Sequence, residues 1–238
     1  PLMNKAVWDL PSYIASKGMK SSFATNGSLI NEKIANEMMN CRWVGVSVDS
    51  ATKETFNKIH GVDCFDRVIK NLELLVETKN KTNSKIDISY KFLINPLNWK
   101  EVYDACRIAK ETGVRDFHAR PADLERKDFQ QAMDLNYNIE EIHHLFEKCH
   151  DLEDGEKFRV FTVMHKYDPD FKVKHTFKKC SSSPLMLQAC SDGNVYVCAD
   201  HRIEDRFKLC NHYPNPKEIL KVWGSDKHRN LLNSIKVD

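Results

Sequence analysis

Four short polar stretches carry most of the side chains that could bind a small polar ligand. Each follows a run of β-branched or aromatic residues, and the four are Thr25-Asn26-Gly27, Ser47-Val48-Asp49-Ser50, Asn95-Pro96-Leu97-Asn98 and His118-Ala119-Arg120-Pro121. Ligands of parallel β/α sheets bind at the carboxyl ends of the strands. We therefore expect one rim of residues suited to a small polar ligand, consisting of Thr25, Asn26, Ser47, Asp49, Asn95 and Arg120. The alternative for each residue is a local role, since Asn-Gly forms turns and Asp accepts backbone N–H groups at helix starts.

Eight cysteines are the second distinctive feature. Four are widely spaced in apolar or helical stretches, where free buried thiols are expected. The other four, Cys180, Cys190, Cys198 and Cys210, fall close together, and the sequence has no Cys-x-x-Cys. Disulfide frameworks are typical of small secreted domains, so we favour metal binding or reduced thiols, and a cytoplasmic protein.

The cysteine-rich stretch has the pattern of a β-hairpin. Ser191-Asp192-Gly193-Asn194 separates two strand-like runs, and Asp-Gly favours a two-residue turn. That turn would pair Cys190 with Val195 and place Cys190 on the face opposite Cys198. Cys180 could then fold over and meet Cys198, whereas Cys210 is expected to be a free thiol.

Helix-period and strand-like segments alternate from residue 4 to about residue 121. Strands are predicted at 21–25, 43–48, 86–94 and 114–120, and helices at 5–17, 31–39, 65–78 and 99–112. This alternation predicts right-handed β-α-β crossovers and a parallel sheet, in an open or a barrel arrangement. The regular alternation of helix and strand patterns ends after Pro121, although a helix is predicted at 139–149 and a strand-like run at 158–163. We expect an α/β core at 1–121, a mostly helical linker at 122–176 and a small hairpin region at 177–238.

Composition excludes several classes of protein. Lys+Arg 36 against Asp+Glu 34 gives a formal charge of +2, so no basic field favours nucleic acid. No apolar run approaches the roughly 18 residues of a membrane span. With 8 Gly and 8 Pro, the chain is also not a low-complexity sequence.

Several of these motifs, taken in order, resemble the radical S-adenosylmethionine (radical SAM) enzymes. The similar motifs are Thr25-Asn26-Gly27, Val46-Ser47-Val48-Asp49-Ser50, Thr55 and Ile59-His60-Gly61. In addition, Pro1-Leu2 is similar to the end of that superfamily's Gly-Gly-Glu-Pro-Leu strand. The later segment resembles their SPASM or twitch extension, which begins Cys-x(9–15)-Gly-x(4)-Cys. Cys180, Gly193 and Cys198 satisfy that spacing, and Lys217 to Trp223 with His228-Arg229 is also similar to that region.

The resemblance implies a fold, cofactors and partners. The fold would be a partial (β/α) parallel barrel followed by a small α+β SPASM/twitch-like domain. The cofactors would be S-adenosylmethionine, a catalytic 4Fe-4S cluster and an auxiliary iron–sulfur cluster held in part by Cys180 and Cys198. The cofactor-binding residues would be Thr25, Asn26, Ser47, Asp49, Asn95 and Arg120. Among them, Asn26, Ser47 and Asp49 would bind the adenosyl or methionyl part, and Arg120 a carboxylate of the cofactor or substrate. The substrate would be a peptide or a small molecule, and the reductant a flavodoxin or ferredoxin.

The sequence departs from the superfamily pattern in two places. Neither Cys-x(3)-Cys-x(2)-Cys, which ligates the catalytic cluster, nor the Cys-x(2)-Cys-x(5)-Cys-x(3)-Cys half of a SPASM module occurs. We therefore expect a segment of a longer enzyme that is inactive alone and carries no catalytic residue of its own.

Two other functions are compatible with parts of the sequence. A non-catalytic β/α binding domain could hold structural zinc with Cys180, Cys198 and His201 or His212. A nucleotide-binding β/α enzyme is less well supported, because neither Gly-x-Gly-x-x-Gly nor a P-loop occurs.

Overall fold

The computed structural model describes residues 1–122, 138–163 and 177–235. The chain forms two compact units, Pro1–Phe171 and Lys172–Asp238. Within the described residues, no helix has both the length and the apolar character needed to cross a membrane.

The first unit is built on a parallel sheet of five strands. In chain order these are β1 (Ser22–Thr25), β2 (Trp43–Ser47), β3 (Asp87–Ile94), β4 (Asp116–Pro121) and β5 (Arg159–Thr162). Their order in the sheet is the same as their order in the chain, and all four pairings are parallel. The predicted α/β class with a parallel sheet is therefore confirmed.

One helix precedes β1, and the other helices connect the strands. In chain order the helices are α1 (Leu10–Ser16), α2 (Glu32–Met38), α3 (Lys53–His60), α4 (Phe65–Thr82), α5 (Val102–Glu111) and α6 (Ile139–His150), with 3₁₀ turns at Lys5–Val7 and Trp99–Glu101. Right-handed crossovers between strands in sequential order place all the connecting helices on one face, as in a β/α barrel. A doubly wound sheet would instead need a reversal of the strand order.

Local sequence explains where several of these helices begin and end. Asn31 accepts the N–H of Ile34 at 3.0 Å at the start of α2, and Asn138 accepts that of Glu141 at 3.0 Å at the start of α6. Gly61 ends α3 with φ +69°, in the left-handed region that favours glycine.

The two faces of the sheet differ in chemistry. On β3, Ile88, Tyr90, Phe92 and Ile94 are fully buried in the helix-side core. Ser89, Lys91 and Leu93 alternate with them and therefore point to the opposite, inner face. This alternation divides the unit into a packed helix side and a polar inner side.

Strand β5 extends the sheet beyond the core expected from sequence. It pairs with β4, with Phe117 opposite Val160 and His118 opposite Phe161. The sheet therefore does not end at Pro121, and part of the expected linker, 138–163, packs into the same unit.

The second unit contains a three-stranded antiparallel sheet and two short helices. Its elements are β6 (Gln188–Ala189), β7 (Asn194–Tyr196), β8 (Lys208–Asn211), α7 (Glu218–Val222) and α8 (Asp226–Ser234). Its small core is formed by residues of β7 and β8 together with Val197 and Phe207.

The hairpin of this unit has a different turn from the predicted one. Ala189 is paired with Val195, and the Cys190 N–H donates to the Asn194 carbonyl at 2.9 Å. The turn thus has three residues, ending at Gly193 with φ +81°. The predicted pairing of Cys190 with Val195 is wrong by one residue. The prediction that Cys190 and Cys198 lie on opposite faces rested on that pairing, so it fails as well.

Candidate functional site

A cavity of about 360 Å³ lies at the carboxyl ends of β1 and β2. Its lining consists of Pro1, Leu2, Met3, Ala24, Thr25, Asn26, Ser28, Leu29 and Ser47. Small-molecule sites in proteins have about this volume and a similar mixture of apolar walls and a few polar groups. Three of the predicted rim residues, Thr25, Asn26 and Ser47, therefore meet in one cavity.

The turn after β1 is held by contacts from inside the fold. The buried Thr25 hydroxyl accepts the N–H of Gly27 at 3.2 Å, and Asn71 of α4 donates to the Gly27 carbonyl at 2.8 Å. Gly27 has φ +73°, and a Cβ there would approach Val46 Cγ1 to 2.8 Å. Thr25 thus shapes the cavity wall, and Gly27 is required by both conformation and space.

Asn26 and Ser47 are the polar groups best placed to meet a ligand. Asn26 is exposed, and its Oδ1 accepts hydrogen bonds from the N–H and the hydroxyl of Ser28. Its Nδ2 has no hydrogen-bond partner within the part of the chain that the structure describes. The same holds for the hydroxyl of the half-buried Ser47. Both groups line the cavity with hydrogen-bonding capacity unused by these residues.

Asp49 lies beyond the end of β2 and is engaged in backbone contacts. Its Oδ1 accepts the N–H of Leu93 at 2.7 Å, and its Oδ2 lies 3.7 Å from His60 Nε2. Burial raises the pKa of Asp49, against the lowering effects of the Leu93 hydrogen bond and of His60, Lys91 and Arg120. The carboxylate therefore joins β2 to β3, with one oxygen turned toward His60.

Asn95 forms a turn after β3 in the structure. Its Oδ1 accepts the N–H of Leu97 at 2.9 Å, and its own N–H donates to Asn98 Oδ1 at 2.7 Å. Asn98, which is fully buried, also donates to the carbonyls of Asp49 and Leu93. Asn98 thus ties the β2 and β3 loops together, a role that the sequence did not single out.

Arg120 is exposed on β4, opposite Leu93 of β3. Its charge acts on Asp49, Lys91 and His118, because it contributes to the pKa of each. Of these neighbours, Lys91 and His118 are inner-face residues absent from the predicted site. The signal for Lys91 was a charged residue inside an alternating strand, between the buried Tyr90 and Phe92.

The predicted metal ligands lie in the second unit. Cys180 and Cys198 are both partly exposed, and hydrogen bonds from Ser183 and Ser182 lower the pKa of the Cys180 thiol. No group of three or more His, Cys, Asp and Glu side chains among the described residues is arranged to hold a metal ion. All eight cysteines are free thiols, and Cys41, Cys64, Cys106, Cys149 and Cys210 are buried.

Both histidines of the zinc alternative are engaged elsewhere. His201 Nδ1 lies 2.7 Å from Glu204 Oε1, and its ring stacks on Phe207 at 4.4 Å. His212 Nε2 lies 2.7 Å from the carbonyl of Cys190.

Two kinds of curated protein are similar to parts of this chain. A "Probable GTP 3',8-cyclase" of Saccharolobus islandicus is 29% identical over 124 residues, covering 50% of this chain and 38% of the relative. An "Fe-coproporphyrin III synthase" of Methanosarcina barkeri is 26% identical over 186 residues, covering 75% of this chain and 45% of the relative. The chain thus spans less than half the length of these curated relatives. No protein-family profile matches it.

Solved structures show the same relationship at the level of the fold. Streptococcus suis SuiB bound to S-adenosylmethionine superimposes with a TM-score of 0.68 at 14% identity, covering 96% of this chain and 53% of SuiB. The anSMEcpe structure with bound AdoMet superimposes with a TM-score of 0.57 at 18% identity, covering 96% and 61%. The chain is related to the radical SAM enzymes. The resemblance seen in its sequence is confirmed, whereas the SPASM-type extension stays a prediction.

The described residues of the first unit suit one of the two implied cofactors better than the other. The cavity at β1 and β2 offers Asn26 and Ser47 for hydrogen bonding and Leu2, Ala24 and Leu29 for apolar contact, which suits the nucleoside or methionyl part of S-adenosylmethionine. A 4Fe-4S cluster needs several thiolates, and the described residues of the first unit bring no such group together.

Proposed function

We propose that this chain is the cofactor-binding part of a radical SAM enzyme, with S-adenosylmethionine held at the carboxyl ends of β1 and β2. The observation that carries the proposal is the meeting of Thr25, Asn26 and Ser47 in one cavity of suitable volume. Relatives of this chemistry and SAM-bound structures of the same fold support it.

In this proposal, some residues contact the ligand and others position the rim of the cavity. Asn26 Nδ2 and the Ser47 hydroxyl hydrogen-bond the ligand, and Leu2 and Leu29 cover its apolar surface. Thr25, Asp49 and Asn95 position the rim through their contacts with Gly27, Leu93 and Leu97. Arg120, on a neighbouring strand, presents its planar guanidinium to a carboxylate of the cofactor or of the substrate.

S-adenosylmethionine, when bound and reduced by an iron–sulfur cluster, supplies a carbon radical that removes a hydrogen atom from the substrate. The chain's own residues orient that ligand and limit the access of water, since the protein's part is binding and positioning. We propose that the cluster ligands are not among the described residues, and that this chain alone does not cleave S-adenosylmethionine.

The substrate is proposed to be a peptide or a small molecule, and the electron donor a flavodoxin or ferredoxin. SuiB has been crystallised with its precursor peptide SuiA, and the curated relatives are named for GTP and for an iron porphyrin. We further propose that the region 177–238 is a separate functional region, in which Cys180 and Cys198 contribute to an auxiliary cluster.

Binding of S-adenosylmethionine to the 238-residue chain tests the proposal directly. Isothermal titration calorimetry should show saturable binding that Ser47→Ala and Asn26→Ala each weaken about fivefold or more, the worth of one hydrogen bond. Ser16→Ala, a substitution of an exposed hydroxyl on α1, is the matched control and should leave the affinity unchanged. Absence of binding, or equal effects of Ser47→Ala and Ser16→Ala, would refute the assignment.

Activity of the chain alone is tested separately. Anaerobic reconstitution with iron and sulfide, followed by an assay for 5′-deoxyadenosine, should give no product. Product formation would show that the chain holds a catalytic cluster, and would overturn the proposal that it is inactive alone.

A further inference from the structure

The strand register aligns four side chains across the inner face of the sheet. Ser47 is opposite Lys91, Lys91 opposite His118, and His118 opposite Phe161. Cross-strand partners lie side by side on one face, about 5 Å apart, so these residues form one row across β2 to β5. Arg120 lies two residues further along β4, on the same face.

The next row toward the strand starts is fully occupied by internal bonds. Trp43 Nε1 donates to Ser89 Oγ at 2.6 Å, and Ser89 Oγ donates to Asp116 Oδ2 at 3.3 Å. Arg159 forms an ion pair with Asp116 at 2.7 Å. The buried Asp116 is thus paired with Arg159, although its charge still raises the pKa of His118 against the larger, lowering effect of burial.

The floor beneath Lys91 and His118 is aromatic. The indole of Trp43 lies over Gly45, where a Cβ would overlap the ring. Lys91 Nζ lies 5.4 Å from the centre of that indole, and the His118 ring is 6.4 Å from it and 4.7 Å from Phe161. Flat hydrophobic surfaces therefore border the cationic groups on two sides.

Three basic side chains meet here without acidic partners among the described residues. The side chains of Lys91, His118 and Arg120 make no hydrogen bond or ion pair with any residue that the structure describes. Burial lowers the pKa of both Lys91 and His118, and Arg120 lowers both further, whereas Asp49 raises the pKa of Lys91 and Asp116 that of His118. The neighbouring carboxylate of Asp49 is engaged by the Leu93 N–H and faces His60. Concentrated positive charge of this kind favours an anion.

We infer that Lys91, His118 and Arg120 form a binding site for an oxyanion, a carboxylate or a phosphate, carried by a planar ring-bearing molecule that packs against Trp43 and Phe161. We call these three residues the basic face. The oxyanion accepts hydrogen bonds from the Lys91 ammonium and the Arg120 guanidinium, and the ring fills the aromatic floor. That this molecule is the substrate of a radical reaction rests on the proposed function, whereas oxyanion binding does not.

Nuclear magnetic resonance titration of the 238-residue chain tests the site. The probes are inorganic phosphate, benzoate and the uncharged benzamide, and the readouts are the Trp43 indole N–H shift and the pKa of His118, assigned with Trp43→Phe and His118→Gln. An anion beside His118 stabilises the imidazolium, so saturating phosphate or benzoate should raise its pKa. Benzamide should have no effect. The stronger of the two anions identifies the group as phosphate or carboxylate.

Matched variants decide whether the basic face is responsible. Lys91→Met and Arg120→Gln should each weaken anion binding about tenfold or more. Lys100→Met is the control, because Lys100 also lies over an indole, that of Trp99 at 5.2 Å, but is exposed outside the sheet. Circular dichroism should show that all three variants are folded. Failure of both anions to bind, or equal affinities of Lys91→Met and Lys100→Met, would overturn the inference.

A competition experiment separates this site from the proposed cofactor site. Anion binding that persists with S-adenosylmethionine present supports a second, substrate site. Competitive displacement, together with weaker S-adenosylmethionine binding by Lys91→Met, would assign the basic face to the cofactor and overturn the inference. If S-adenosylmethionine does not bind at all, the proposed function fails while anion binding can still be measured.

Discussion

The Asp49 carboxylate accepts the backbone N–H of Leu93 at 2.7 Å, joining the end of β2 to β3. The Asp49 carbonyl is also held, by Asn98 Nδ2 at 2.7 Å. Asp49 adopts φ +59°, a left-handed conformation that Asp and Asn tolerate better than most residues. A residue fixed at both its backbone and its side chain is suited to positioning the rim of the site.

The pH dependence of stability should report the buried Asp49. Its folded pKa is raised above the unfolded value of about 4. The folded chain therefore binds more protons than the unfolded chain between these two pKa values, and the Asp49 contribution to the unfolding free energy falls as pH rises through that interval. Asp49→Asn keeps the acceptor and the backbone conformation but removes the titration. Urea denaturation from pH 4 to 7 should show the variant gaining stability relative to wild type as pH increases.

Asp63→Asn is the control for a surface carboxylate, because the Asp63 side chain is 61% exposed. It should not reproduce the trend. A stability difference between wild type and Asp49→Asn that stays constant from pH 4 to 7 would contradict the assigned direction of the pKa shift.

Adding one methyl group at Gly45 should disturb the aromatic floor. The new Cβ would overlap the Trp43 indole and approach Lys91 Cδ to 2.8 Å. We expect Gly45→Ala to lower the unfolding free energy by about 1–3 kcal/mol, the usual cost of overpacking. The measurements are urea denaturation and the Trp43 indole N–H resonance, which should shift as the hydrogen bond to Ser89 is strained.

A double-mutant cycle identifies the cause. In the background Trp43→Ala, the same Gly45→Ala change should cost less than in wild type, because the overlapping ring is gone. An equal cost in both backgrounds would mean that Trp43 is not what makes glycine necessary.

The parallel sheet and the cavity could be predicted from the sequence, but the basic face could not. Strand–helix alternation and the polar strand ends identified β1 to β4 and placed Thr25, Asn26 and Ser47 at one edge. Lys91 lies inside a strand, and its meeting with Arg120 depends on the register of β3 and β4. The length of the hairpin turn could not be predicted from the sequence either, because Asp-Gly fits loops of two or three residues. In the structure the Tyr196 hydroxyl donates to Asp192 at 2.7 Å within the three-residue form.

Glu101 should stabilise the loop after β2. One of its oxygens accepts the N–H groups of Ala51 and Thr52 at 2.6 and 3.2 Å, and the other accepts the hydroxyls of Thr52 and Thr55. Because hydrogen bonds to a charged group are the stronger ones, Glu101→Gln should lower the unfolding free energy by about 2 kcal/mol.

Glu54→Gln is the matched control on α3, since Glu54 is exposed and paired with Lys58. Its stability should be indistinguishable from that of wild type in the same denaturation experiment. If Glu101→Gln has no larger effect than Glu54→Gln, the carboxylate does not anchor the loop. Glu101→Gln should also weaken S-adenosylmethionine binding, because Ser47 directly precedes this loop.

The second unit offers a test of the auxiliary cluster. Cys180 and Cys198 are partly exposed, and hydrogen bonds from Ser183 and Ser182 lower the pKa of the Cys180 thiol, which favours the thiolate that binds metal. After anaerobic reconstitution, the chain should be brown and absorb in the iron–sulfur charge-transfer region. Cys180→Ser and Cys198→Ser should each remove most of the bound iron. Cys210→Ser, at a buried thiol whose pKa is raised by desolvation, should retain it.

Cys190→Ser distinguishes two arrangements of ligands in the hairpin. With the three-residue turn, Cys190 is opposite Asn194 and no longer shares a face with Val195, so the reason for excluding it as a ligand has gone. Loss of iron in Cys190→Ser as well as in Cys180→Ser would make it a third ligand. Retention of iron would leave Cys180 and Cys198 as the ligands in this unit. Colourless protein that holds zinc by elemental analysis would contradict the iron–sulfur assignment and support a structural zinc site.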